Sequence, residues 1–177
     1  MADSIALLRA TLPAVLPRLR RFARTLARSP ADADDLAQAA IERALARAAQ
    51  WRAPDDGATA EQIETSVRCW MFGIAKNAWI DNRRAWQRER ALFASGAGLE
   101  NVADIRAGGV QDRLSITAAM QRLPEEQQLA VSLVLVEGLS YQEAADVLEI
   151  PVGTLTSRLS RGRESLARVL SDQEQPA

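Results

Sequence analysis

Residues 139–163 read LSYQEAADVLEIPVGTLTSRLSRGR, and this stretch decides the fold. Ser140 and Glu143 have the spacing of a capping box, in which two side chains satisfy backbone donors at the start of a helix. Pro151 is tolerated in the first turn of a helix but not in its interior, and Gly153 would let two backbones approach closely at the corner. The stretch therefore predicts a helix-turn-helix.

The second helix of this motif has two different faces. Leu155, Leu159 and Leu166 have the spacing of a face that packs against other helices. The outward positions carry hydroxyl and guanidinium groups, which can reach base edges in a DNA major groove. These positions are Thr156, Ser157, Ser160 and Arg161. The alternative is a solvated helical hairpin with no binding function. In that case the helix cap, the turn, the apolar spacing and the charge placement would agree only by chance, so DNA is the first partner to expect.

The composition limits the classes of protein that fit. The chain has 177 residues, enough for one ordinary domain or two small ones, and alanine and leucine dominate, which favours helix throughout. Histidine is absent and Cys69 is the single cysteine, so we predict no enzyme, no cofactor and no metal site. The sequence has no apolar run long enough for a membrane span and no signal peptide pattern, and these absences predict a cytoplasmic protein.

The net charge of −1 is unusual for a DNA-binding protein, but the charges alternate in blocks. Residues 67–90 carry six basic and two acidic side chains, net +4, whereas residues 111–149 carry two basic and seven acidic ones, net −5. Blocks of this size predict separate surfaces for separate partners. The acidic blocks could contact a protein, keep the free chain off non-specific DNA, or simply be solvated.

Apolar periodicity predicts helices over residues 4–28, 32–50 and 61–92, with a loop at 52–60. Pro13 and Pro17 predict that the first helix is bent or starts late. In the second helix, Ile41 and Leu45 are expected to point inward.

The glycine-rich residues 93–110 predict a flexible linker. Helices over 111–122 and 125–137 and the helix-turn-helix follow the linker. We therefore predict an all-α protein with two small helical domains, residues 1–92 and 111–177, joined by the flexible linker, the C-terminal domain being the helix-turn-helix.

Residues 70–84, WMFGIAKNAWIDNRR, form a second informative stretch. It interleaves aromatic, amide and basic side chains along one predicted helix. Lys76 and the arginines that follow can neutralise phosphates, Asn77 can read an unpaired base, and Trp79 or Trp86 can stack on one. The alternative is an amphipathic helix whose tryptophans are core and whose arginines are solvated, and for Trp70 this alternative is favoured.

At this point three blocks together resemble a bacterial RNA polymerase sigma factor of the extracytoplasmic-function (group IV) family, over residues 15–170. The first, DDLAQ at residues 34–38, resembles the family's segment for docking on the polymerase clamp helices. The second, residues 70–84, resembles the block "WL..IA.N...D..R" for promoter melting. The third, residues 151–163, resembles the recognition helix "PVGTV.SRL.RAR".

The resemblance implies an alternative sigma factor that binds core RNA polymerase and promoter DNA, directs promoter recognition, melting and transcription initiation, and is held by an anti-sigma factor. The implied docking residues are Asp34, Asp35 and Gln38. The implied residues for the minus-ten element are Lys76, Asn77, Trp79, Asp81, Arg83, Arg84 and Arg88. Those for the minus-thirty-five element are Thr154, Thr156, Ser157, Arg158, Ser160, Arg161 and Arg163.

The chain departs from the family pattern at a few positions. Ala39 follows Gln38 where an acidic residue is common, and Gly162 stands where alanine is usual. Two other classes of protein stay open. One is a helix-turn-helix regulator that binds duplex DNA alone, which does not need residues 70–84. The other is a protein-interaction adaptor, which does not need the base-reading hydroxyls of the second helix.

Overall fold

The computed structural model describes residues 2–55, 57–94 and 111–173, and this part of the chain is helical with no strand, as predicted. Most of the predicted linker, from residue 95 onward, lies outside the described residues. The α-helices are α1 (Ala2–Leu26), α2 (Pro30–Ala46), α3 (Ala60–Ala94), α4 (Gln111–Gln121), α5 (Glu125–Val131), α6 (Tyr141–Leu148) and α7 (Val152–Gln173). None of these helices is apolar over a length sufficient to cross a membrane.

The N-terminal helices α1, α2 and α3 pack on one another around a common core. The rings of Phe22 on α1 and Phe72 on α3 lie 4.8 Å apart, tilted by 39°. Each of these large buried side chains contributes about 1.5–3 kcal/mol through removal from water. The α1 helix begins at Ala2 and continues through Pro13 and Pro17, so the expected late start was wrong.

The start of α2 follows its sequence signals. The Ser29 hydroxyl accepts a hydrogen bond from the Asp32 backbone N–H at 3.1 Å, and proline occupies the first helical turn. The buried stripe consists of Ala33, Leu36, Ala37, Ala40 and Ala44. Leu45 is one step around the helix from this stripe and is 46% exposed, so the prediction that it points inward was wrong.

The C-terminal helices α4 to α7 contain the helix-turn-helix. The capping box is present, because Ser140 Oγ accepts from the Glu143 N–H at 3.2 Å and the Glu143 carboxylate accepts from the Ser140 N–H at 2.7 Å. The α6 helix ends at Glu149, whose φ of 58° is left-handed. The predicted helix over 125–137 consists of α5 and a π-helical segment, Ser132–Val136.

The glycine that permits close helix packing is Gly162, not Gly153. A Cβ on Gly153 would meet no atom within 4 Å, so the expected close approach at the corner was wrong. A Cβ on Gly162 would lie 2.7 Å from Val131 Cγ2. Helix α7 therefore crosses α5 at Gly162.

The N-terminal and C-terminal helices contact each other directly. In this arrangement α3 packs on α6, and α1 packs on α4, α5 and the π-helical segment. The sequence predicts two modules and a linker but not this packing. The interface between the modules determines which of the predicted functional residues are accessible.

Candidate nucleic-acid interface

One face of α2 is open to solvent and carries the predicted docking residues. Asp34, Asp35 and Gln38 are all exposed, and the Gln38 amide donates to the Glu42 carboxylate at 3.0 Å. Leu45 lies about two helical turns beyond Gln38 on the same face. The exposed face of α2 therefore combines acidic and amide groups with an accessible leucine, which the sequence analysis had placed in the core.

The outward face of α7 is also open. Thr156, Ser157, Ser160, Arg161 and Arg163 are exposed, while Thr154 is half-buried. The hydroxyls of Thr156 and Ser157 donate to backbone carbonyls one turn earlier, at 2.9 Å and 3.0 Å, which leaves their oxygen lone pairs free to accept. This face offers acceptors and two guanidinium groups to a partner.

Arg158 does not belong to that face. Its side chain is 24% exposed and Nη2 lies 3.0 Å from the Glu126 carboxylate of α5. Arg158 therefore ties α7 to α5 in this arrangement, and its predicted DNA contact would require this ion pair to open.

The predicted minus-ten residues of α3 differ in accessibility. Asn77, Arg84 and Arg88 are exposed. Asp81 is exposed and accepts from Arg43 of α2 at 3.2 Å, so it links two N-terminal helices. The half-buried Arg83 lies 5.4 Å from the centre of the Trp79 ring and 3.5 Å from the Glu125 carboxylate.

Trp79 is a core residue. It is 7% exposed, and its indole N–H donates to the Leu26 carbonyl at the end of α1 at 3.1 Å. A ring in this position cannot stack on an unpaired base, so that prediction was wrong. The aromatic residue stabilises the junction of α1 and α3 instead.

Lys76 is buried, with 6% of its surface exposed. Its ammonium donates to the Val147 carbonyl at 3.0 Å and to the Glu149 carboxylate at 2.8 Å, both at the end of α6. Because the ammonium donates to this carboxylate, the pKa of Glu149 lies below its usual value. Lys76 therefore cannot reach DNA in this arrangement, contrary to the prediction.

Polar groups at other positions also join the N-terminal helices α1 to α3 to the C-terminal helices α4 to α7. Arg21 of α1 donates through two nitrogens to the two carboxylate oxygens of Glu137, each at 2.8 Å, and the Glu137 side chain is fully buried. Gln128 of α5 donates to the Thr25 carbonyl at 2.7 Å, and Gln121 of α4 donates to the Ala27 carbonyl. The C-terminal helices thus satisfy carbonyls at the end of α1.

Comparison with known proteins matches both parts of the chain. Residues 12–75 match the family model described as the sigma2 domain of PhyR, and residues 113–166 match the model described as sigma-70, region 4. The ECF RNA polymerase sigma factor SigM of Mycobacterium tuberculosis is 34% identical over 155 residues, which cover 86% of this chain and 71% of that protein. The ECF RNA polymerase sigma factor EcfG of Rhodopseudomonas palustris is 30% identical, over 92% of this chain and 84% of that protein.

The chain belongs to the ECF sigma factor family. A solved structure agrees: the sigma factor RpoE of Bartonella quintana, in complex with the anti-sigma factor NepR, is 30% identical, with a TM-score of 0.71 over 92% of this chain and 96% of that one. The fold is also that of CnrH in complex with the cytosolic domain of CnrY, with a TM-score of 0.62 at 21% identity. Membership of the family agrees with the resemblance seen in the sequence and disfavours a stand-alone regulator or an adaptor.

This sigma factor also has a groove between α3 and α6, with a volume of about 430 Å³. Cys69 and Asn77 line it on one side, and Glu143 and Asp146 on the other. Burial, reinforced by the two carboxylates, raises the pKa of Cys69 to about 11. The thiol is therefore protonated and a poor nucleophile.

Proposed function

We propose that this ECF sigma factor directs core RNA polymerase to promoters by using three separate helix faces. The exposed face of α2 docks on the polymerase, α7 reads the upstream promoter element, and α3 engages the downstream element as it melts. The observation that carries the proposal is the open face of α7, with hydroxyl and guanidinium groups beside a capped helix-turn-helix. The chain has no catalytic role of its own and acts in the cytoplasm with the polymerase.

The α7 face fits a DNA major groove in size and chemistry. A single α-helix enters this groove, and arginine recognises guanine through two parallel hydrogen bonds. Arg161 and Arg163 both point to solvent from the same helix as Thr156 and Ser157. In the proposal Arg161 reads a base, Arg163 binds phosphate, and the hydroxyls contact further base edges.

The α3 face supplies a different contact. Asn77 is exposed on the groove side of the helix, and Arg84 and Arg88 are exposed on the turns that follow. An amide can hydrogen-bond the edge of a base that has left the stack, and extruding such a base costs a few kcal/mol. Phosphate contacts from the two arginines would help to offset this cost.

We also propose that residues 1–92 and 111–177 act as separate domains once the protein is bound to polymerase. In this structure Lys76 contacts Glu149, and α7 begins three residues after Glu149. The start of α7 therefore lies at most roughly 25 Å from residue 76. The two promoter elements are separated by about one and a half turns of DNA, roughly 50–55 Å. The 18 residues from 93 to 110 can span at most about 60 Å, so they permit this separation.

An anti-sigma factor is the proposed inhibitor. RpoE of Bartonella quintana, which this chain resembles over most of its length, was solved with the anti-sigma factor NepR. A partner of this class would act by holding the two sets of helices together or by covering the face of α2.

The experiment that tests the docking surface is run-off transcription with purified core polymerase on a genomic promoter library. Asp35→Arg combined with Gln38→Ala should abolish transcription while leaving the far-ultraviolet circular dichroism unchanged, because both side chains are exposed. Glu61→Arg, an exposed charge reversal at the start of α3, is the matched control and should remain active. If the double variant bound core polymerase with normal affinity, the assignment of this face of α2 as the docking surface would be refuted.

Asn77→Ala tests the role of α3 in melting. A duplex promoter hides the base that the amide would read, so closed-complex binding should survive while permanganate reactivity of unpaired thymines falls. A template with a pre-melted bubble should recover much of the loss. Equal defects on duplex and bubble templates, together with lower thermal stability, would assign Asn77 a structural role.

A further inference from the structure

We propose that an exposed row of arginines on α1, formed by Arg9, Arg20 and Arg24, is a further DNA-binding surface. This arginine row holds the phosphate backbone of promoter DNA without reading its sequence. The proposal rests on the proposed function in one respect, namely that polymerase brings the chain to a promoter. It adds a fourth binding face, on a helix that the other three faces do not use.

The first helix carries a surplus of positive charge that is concentrated on one side. Residues 1–30 contain six arginines and one acidic residue, a net charge of +5. At about 100° per residue, Arg9, Arg20 and Arg24 lie within about 60° of one another around α1, and all three are exposed. They span about 22 Å along the helix axis, which is the axial length of about six phosphates on one strand of a duplex.

The three guanidinium groups of the arginine row are unpaired. They form no ion pair and no hydrogen bond with any residue that the structure describes, whereas Arg21 on the same helix pairs with Glu137. Arg20 and Arg24 are four residues apart, a spacing at which like charges destabilise a helix. An anion bound across both side chains would remove this repulsion.

The side chains between the arginines favour a phosphate backbone over a protein partner. Ala10, Pro13 and Pro17 lie on the same side of α1 and are exposed. Among the described residues, the large hydrophobic side chains that are exposed all lie outside α1. Protein interfaces are centred on aromatic or large apolar anchors, but non-specific binding to DNA needs only the neutralisation of phosphates.

The arginine row ends next to the part of α3 that is proposed to contact melted DNA. The Trp79 indole of α3 donates to the Leu26 carbonyl, two residues after Arg24. Arg84 and Arg88 are exposed on the turns of α3 that follow Trp79. The end of α1 that carries Arg24 is therefore the end that adjoins the proposed promoter contact, which supports DNA as the partner of the row.

The C-terminal helices leave the arginine row uncovered. They contact α1 at the Arg21 side chain and at the Thr25 carbonyl, and these residues lie about 60° and 100° further around the helix than Arg24. The row is therefore exposed in the free chain as well. Its affinity for a phosphate backbone can accordingly be measured without polymerase.

The first test uses the free full-length protein and a fluorescein-labelled duplex of 20 random base pairs, with fluorescence anisotropy measured over a series of salt concentrations. Arg20→Ala combined with Arg24→Ala should weaken binding at low salt at least about fivefold. It should also lower the slope of log affinity against log salt concentration by about two, since each phosphate contact contributes about 0.9. Arg20→Lys combined with Arg24→Lys retains both charges and should bind within about twofold of the unaltered chain.

Arg18→Ala is the matched control for the single variant Arg20→Ala. It removes the same charge from the same helix, at a position about 160° around α1 from Arg20, and should leave the salt slope unchanged. An equal loss in Arg18→Ala and Arg20→Ala would show that only the net charge matters. That result, or unchanged affinity of the double alanine variant, would overturn the proposal.

The second test identifies the partner in the complex with polymerase. The double alanine variant should bind core polymerase with unaltered affinity in a pull-down titration, and its holoenzyme should bind several different promoters less tightly by the same factor. A loss of core affinity would assign the row to an acidic protein surface, and a loss that varied with promoter sequence would assign it to base recognition. Either result would overturn the proposal, whereas the proposed function fails if the unaltered chain supports no polymerase-dependent transcription.

Discussion

The close crossing of α5 and α7 makes Gly162 the position where a single methyl group should have a large effect. In Gly162→Ala the new Cβ would lie 2.7 Å from Val131 Cγ2 and 3.4 Å from Gln127 Cβ. Favourable carbon–carbon contacts are about 3.5–4.0 Å, so the helices must move apart. Val131 is 2% exposed and β-branched, so its side chain has little freedom to rotate away.

Two opposing contributions determine the size of this effect. Replacing glycine in a helix interior by alanine gains about 1 kcal/mol of helix propensity. Overpacking a close contact typically costs about 1–3 kcal/mol. We therefore expect Gly162→Ala to lower the free energy of unfolding by about 1 kcal/mol, measured by urea denaturation followed by circular dichroism.

Gly153→Ala is the matched control for this prediction. It lies in the same helix, and its Cβ would meet no atom within 4 Å, so it should be at least as stable as the unaltered chain. In a double-mutant cycle, Val131→Ala should be less destabilising in the Gly162→Ala background by about 1 kcal/mol or more. A coupling smaller than about 0.5 kcal/mol, the usual limit of additivity, would refute the argument that the overlap sets the cost.

Further predictions follow from the exposed faces and from the thiol. In holoenzyme binding titrations, Arg161→Ala should weaken promoter binding by about 1–3 kcal/mol, to an extent that depends on the promoter. Arg163→Ala should weaken binding to all promoters similarly and lower the slope of log affinity against log salt concentration by about one. Leu45→Ala should weaken core polymerase binding by about 1–2 kcal/mol in a pull-down titration without unfolding α2, and unchanged affinity would exclude it from the interface. With its pKa near 11, Cys69 should react with iodoacetamide at pH 8 roughly 200-fold more slowly than a free thiol of pKa about 8.5. Because the pKa of Cys69 is raised in the folded state, its contribution to the free energy of unfolding should be fully present below about pH 8.5. This contribution should be lost as the pH rises towards 11, which urea titrations at pH 8 and 10.5 would show.

Local signals in the sequence predicted local structure well. The capping box at Ser140 and Glu143 depends on residues within one helical turn, and it formed as predicted. The start of α2 also depends on local signals, Ser29 and Pro30, but it lies two residues before the predicted start at residue 32. The position of Leu45 was missed because a one-residue step changes a side chain's direction by about 100° on a helix. Periodicity alone does not fix the edge of a buried stripe to that accuracy.

The roles of Trp79 and Lys76 could not be predicted from their neighbours in the chain. Both depend on groups more than 50 residues away, the Leu26 carbonyl for Trp79 and the end of α6 for Lys76. The polar contacts between the modules, such as the Lys76 ammonium on the Val147 carbonyl, use residue types that resemble solvated surface in the sequence. The pair of exposed Arg21 and buried Glu137 has no periodic signal that distinguishes it from two exposed charges.

The left-handed backbone at Glu149 places a side chain where glycine is the easiest residue to accommodate. An L-residue other than glycine costs roughly 1–2 kcal/mol in this conformation, and Glu149 has a φ of 58°. Glycine at this corner would therefore strengthen the helix-turn-helix and at the same time delete the carboxylate that holds Lys76. The Lys76 ammonium would then keep only the Val147 carbonyl as its acceptor while still buried, so the exchange would replace strain at the corner by an uncompensated charge between α3 and α6.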